Sequence, residues 1–140
     1  MGAVRSALEA LVCETIHQRL ATEVLDFSDL DRSLEGMRQA AEDADRERFY
    51  DFDLQFHRAL WSLADNEYLA AALEQVTVPL FAFFIVLYMR KQGGRETLLE
   101  AVEAHEKLAA SLRKQDRSCI QAIRDLVSLS LKHHQGLISE

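Results

Sequence analysis

Apolar residues recur every three or four positions along almost the whole chain, and very little interrupts them. That spacing puts them on one face of an α-helix. One proline and five glycines in 140 residues leave few places where a helix has to stop, so the chain is directed to an all-α fold. Val4, Leu8, Leu11, Ile16 and Leu20 trace a first helical face, and Leu30, Leu34, Met37, Ala41 and Ala44 a second, with Ser28 or Asp29 available as its cap. Asp45 can cap a third helix, whose stripe is Phe49, Phe52, Phe56, Leu60 and Leu63. Asp65 or Asn66 can cap a fourth that runs through Leu69, Leu73, Val76, Leu80, Phe84 and Leu87. Pro79 falls inside that helix and predicts a kink, because the apolar pattern continues on both sides.

Lys91 to Gly94 is the clearest break. Beyond it Leu98, Val102, His105, Ala109 and Leu112 form a fifth stripe, and Ile120, Ile123, Val127, Leu131 and His134 a sixth, with Asp116 as cap. No repeat or linker divides the chain, so residues 1–140 read as a single domain: an antiparallel bundle of six helices with short connections. The fourth helix is apolar nearly all round from Val76 to Met89, which marks the middle of a core or a face buried by a second subunit.

Charge limits the partners. A net charge of −7 and a pI near 5.2 argue against this chain gripping nucleic acid by itself, since phosphate binding needs a basic footprint. Cys13 and Cys119 form no CxxC pair, so buried free thiols are expected rather than a disulfide or a zinc knuckle. Val76 to Met89 falls short of the roughly 20 residues a membrane span needs. A soluble cytoplasmic protein is expected.

The chemistry concentrates on the third helix. Asp53 and His57 lie four residues apart, just over one turn, so both can reach one ion or one polar ligand. They flank the apolar stripe. Alone, such a pair is more often a surface or boundary Asp and His bonded only to each other. His105 changes the balance, because it sits in the middle of its own apolar stripe and points inward. One Asp and two His make a common set of ligands for zinc or another first-row divalent ion. A fourth ligand would come most simply from the sixth helix. His105 precedes the turn near Gln115 by about 10 residues, so its neighbour across the hairpin falls near Leu126 or Val127, and both are apolar. His134 is on the right face but roughly 10 Å too far along, so it and His133 read as an end-of-helix pair, with His134 a further candidate ligand.

The segment DLQFHRAL (Asp53 to Leu60) followed by DNEYL, the run EAHEKLAASLRKQD (Glu103 to Asp116) and the opening VRSALEALV (Val4 to Val12) resemble the effector-binding domain of FadR-type regulators in the GntR superfamily, often called the FCD domain. The likeness extends over nearly the whole chain. It implies a bundle of six or seven helices around a cavity that, in many members, holds a divalent metal (zinc, nickel or manganese) through an Asp and three His beside a small organic acid. Asp53, His57 and His105 match three of those ligands, and the last histidine is replaced at about Leu126 or Val127. The resemblance also implies an arginine from the first helix that reads the effector carboxylate, here Arg5, against which stands an exposed arginine near the chain start. Asn66 matches a family asparagine and is expected to act as a helix cap.

Family members carry a winged helix-turn-helix domain ahead of this one, which is absent from this chain, so a fragment of a longer regulator and a stand-alone sensor are both open. The expected function is effector sensing and homodimerisation, with DNA contacted only through the winged helix-turn-helix domain, and no enzymatic activity. The competing readings are a small metal-dependent hydrolase or lyase, since three ligands with an open position also describe catalytic zinc, and a metal-free structural bundle.

Overall fold

Asp45 caps the central helix as its side chain dictates. Its carboxylate accepts the Arg48 N–H at 3.1 Å, and the helix runs Arg46–Ala64 until Asp65 turns left-handed at φ 52°. Asn66 opens the next helix in the same way, its Oδ1 accepting from the backbone N–H of Tyr68 and Leu69. The structure, a computed structural model, describes residues 2–88 and 94–138; the side chains of Phe84, Tyr88 and residues 131–138 lie outside what it describes. Within it are six helices: α1 (Gly2–Leu20), α2 (Ser28–Glu42), α3 (Arg46–Ala64), α4 (Glu67–Tyr88), α5 (Arg95–Arg113) and α6 (Ser118–Ile138). No strand occurs among the described residues. Of the expected break at 91–94 only Gly94 is described; it precedes α5 at φ 93°, and its carbonyl accepts the Leu98 N–H.

The helices pack as an all-α bundle in which α3 touches α1, α2 and α4, while α5 touches α2 and α6 and α6 closes onto α1. The α2–α3 crossing is close because Gly36 leaves room for the Phe52 ring; a Cβ there would sit 2.3 Å from it. Phe49, Phe56 and Leu60 of α3 are fully buried, as are Leu98, Val102, Leu108 and Leu112 of α5 and Ile123 of α6. Burial on that scale, about 1.5–3 kcal/mol for each large side chain, holds the helices together.

Two local expectations differ from the structure. In α2 neither Ser28 nor Asp29 caps; Phe27 stands at the cap, and Asp26 Oδ1 takes the Ser28 N–H at 2.9 Å. In α1 the inward face is mixed rather than apolar throughout, although Ile16 of the expected stripe is buried. Val4 is 54% and Leu11 48% exposed, whereas Arg5, Glu9, Val12, Cys13 and Ile16 are buried. Glu9 turns inward because it meets the polar atoms of His57 and Trp61 on α3.

The segment Glu67–Leu87 of α4 is long and apolar enough to cross a membrane by length and composition. One face of it, Leu69, Leu73, Thr77 and Phe81, is buried against the bundle, while Tyr68, Phe83 and Val86 face outward. Cys13 and Cys119 are both buried and free, with the Cys119 Sγ 3.9 Å from the Cys13 carbonyl oxygen.

Candidate metal centre

Asp53 and His57 project from one side of α3, and that side is covered by α1 and by α5. They do not merely flank the core; Asp53 is 7% and His57 1% exposed. His105 reaches them from the middle of α5 and is equally buried. One ligand atom from each of the three lies within 4.8 Å of the others.

The orientation of the rings matters more than their proximity. Asp53 Oδ1 is 2.8 Å from His105 Nε2 and 3.2 Å from His57 Nε2, so both imidazoles present the same nitrogen to one carboxylate oxygen. Their other nitrogens face outward to acceptors. His105 Nδ1 lies 2.6 Å from the Ala101 carbonyl one turn earlier, and His57 Nδ1 lies 3.1 Å from Glu9 Oε1. The second contact is at ion-pair distance but off the line of a hydrogen bond, so neither atom has a hydrogen-bond partner. The contact is Coulombic. Outward-held Nδ1 and convergent Nε2 atoms are how histidines are set for a metal, and the donor set suits a first-row divalent ion. The residues present fit such an ion.

Without an ion, the buried groups stabilise one another's charges. Burial raises the Asp53 carboxyl, but His105 and His57 outweigh it and hold the group well below the usual carboxylate range. Burial works against charge on His57, yet Glu9 and Asp53 lift its pKa to about 9. Glu9 is lowered by His57, Arg5 and Trp61 against the opposing effect of its burial. Each of these charges is kept inside by its neighbours.

On the side where a fourth ligand would enter there is a cavity of about 20 Å³ lined by Phe49, Tyr50, Asp53, His105, Leu126 and Leu129 among others. It has room for one water-sized ligand atom. Leu126 forms part of that wall; Val127, buried at 1% exposure, does not line it. The side chains of His133 and His134 lie outside the described residues.

Arg5 is not exposed. It is 2% exposed, its guanidinium lies over the Phe81 ring at 5.5 Å, and its Nε is 3.9 Å from Glu9 Oε1. Its Nε and the hydroxyl of fully buried Thr77, one turn before Phe81 on α4, have no hydrogen-bond partner. Glu103 is exposed, and Glu106 is paired with Arg38, so both point away from the centre.

Glu9, Trp61 and Thr77 are among the buried polar groups that the sequence reading missed. Glu9 stands four residues after Arg5, and Trp61 four after His57, and the Trp61 indole N–H donates to Glu9 Oε2 at 3.2 Å. Those two intervals of four were the available signal.

A family model described as the FCD domain matches residues 1–128. No curated protein sequence matches the chain. Among solved structures, E. coli McbR/YncC is similar in fold, with a TM-score of 0.79 at 21% identity over 93% of this chain. The chain spans 63% of that protein's length.

Proposed function

Because this chain belongs to the FCD domain family, we propose that it is the effector-sensing and dimerisation domain of a FadR-type regulator of the GntR superfamily. The observation that carries the reading is the convergence of His57 Nε2 and His105 Nε2 on Asp53 Oδ1, with the buried Arg5 on the neighbouring helix. Asp53, His57 and His105 would hold a divalent ion, and the ion would supply a Lewis-acidic point for a small organic acid. A guanidinium suits bidentate pairing with the carboxylate of that acid, and Arg5 is the arginine available to do it. The exposed apolar side chains of α1 and α4, Val4, Leu11, Phe83 and Val86, would be covered by a second copy of the chain. DNA would be read in the cytoplasm through a winged helix-turn-helix domain, and effector would act by binding two arrangements of the dimer with different affinity.

Family membership points to a regulator rather than an enzyme. Glu9 faces the outward nitrogen of His57.

The test is a thermal-shift panel of small carboxylates, with and without added Zn²⁺, on the parent chain and on Arg5→Ala. An acid that raises the melting temperature more in the presence of Zn²⁺, and loses that effect in a folded Arg5→Ala, is the expected result. A hit unaffected by both Zn²⁺ and Arg5→Ala would refute the reading.

A further inference from the structure

Glu9 belongs neither to the three candidate ligands nor to the arginine, yet it touches both. It is 0% exposed, on α1, one turn after Arg5. Its Oε1 lies 3.1 Å from His57 Nδ1 and 3.9 Å from Arg5 Nε, and its Oε2 accepts from Trp61. A carboxylate stripped of water is costly unless it is paired, so this one is poorly explained as filler.

The two histidines are oriented by different means. His105 leans on a neutral carbonyl of its own helix, Ala101. His57 leans on a charged carboxylate from another helix. A charged carboxylate 3.1 Å from Nδ1 favours the proton on that nitrogen by Coulombic attraction, which turns the lone pair of Nε2 toward the ion and makes it a stronger ligand.

We propose that Glu9 is the positioning residue for His57: it holds the ring with Nε2 toward the ion and so ties α1 to the metal centre through one side chain. The proposal rests on the metal reading above. Its consequence is that whatever moves Arg5 and the first helix is felt at the ion.

The experiment is Zn²⁺ titration, by calorimetry up to millimolar Zn²⁺, of the parent chain, Glu9→Gln, His57→Ala and the double variant. Trp61 is the only tryptophan in the chain and donates to Glu9, so its emission reports on that carboxylate in the same samples. Glu9→Gln is expected to weaken Zn²⁺ about 10–100-fold. In the His57→Ala background the same change should cost less than about two-fold, because the residue it acts through is gone. Zn²⁺ should also shift Trp61 emission in the parent. Equal Zn²⁺ affinity for parent and Glu9→Gln, or the same loss in both backgrounds, overturns the proposal while leaving the metal reading intact. A parent chain that binds no Zn²⁺ overturns both. Should Glu9→Gln lose its helical circular dichroism, the parent's Trp61 decides: unchanged emission on Zn²⁺ binding overturns the positioning role.

Discussion

Replacing Leu126 with histidine should convert a three-ligand centre into a four-ligand one, at a cost that the structure lets us bound. Leu126 is 3% exposed and lines the small cavity beside Asp53 and His105. Leu126→His keeps a side chain of similar bulk there but places a polar ring in an apolar wall, which should cost about 1–3 kcal/mol without metal. For a chain of this length each kcal/mol is worth roughly 3–5 °C, so the variant should melt about 3–15 °C below the parent in EDTA. Zn²⁺ should reverse the order. If the added ligand tightens the ion about 100-fold, ligand linkage returns up to about 2.7 kcal/mol at saturating Zn²⁺, which exceeds all but the top of that range of loss. The assay is a pair of melting curves, in EDTA and in excess Zn²⁺, with Val127→His as the comparison. Val127 is the adjacent residue, about 100° round α6, and does not line the cavity. A Leu126→His protein that melts equally far below the parent in both buffers would refute the geometry, and so would tightening produced by Val127→His instead.

Two further outcomes follow from the buried charges and the exposed face. The pKa of His57 is raised to about 9 from 6.5, so its contribution to stability is fully present below pH 6.5 and is lost as pH rises through about 9. Asp53 and Glu9 are lowered, so theirs is present above the ordinary carboxylate range and lost as pH falls. In EDTA the melting temperature should therefore decline between pH 7 and 10 and again on acidification; a curve flat from pH 6 to 10 would contradict the charge assignments. Sedimentation should show the parent as a dimer and Phe83→Glu/Val86→Glu, at positions 55% and 59% exposed, as a folded monomer; a monomeric parent would remove α4 as an interface.

Much of this was legible in the sequence because helical register is simple. The stripe of α5 put His105 inside among Leu98, Val102, Ala109 and Leu112, all of which are buried. Counting residues about the turn between α5 and α6 reached Leu126 or Val127, and Leu126 lines the small cavity that His105 also lines. What failed was the rule that an inward face is apolar. On α1 the buried positions include Arg5 and Glu9, and two of the expected stripe residues, Val4 and Leu11, are about half exposed. Hydrophobic periodicity cannot find a helix that packs against charge. The same blindness put Asp53 and His57 at the edge of the core, since only the position of α1 over them makes that edge an interior. Glu9 was hidden for the opposite reason: a glutamate in a helix reads as solvent-facing until its neighbours are known.

The centre itself is tested most directly by the metal content of tag-free protein, loaded with Zn²⁺, freed of excess by gel filtration and measured by elemental analysis beside Asp53→Ala and His105→Ala. The account predicts close to one Zn²⁺ per parent chain and background levels in both folded variants. A parent that retains no metal, or variants that retain as much as the parent, would contradict it.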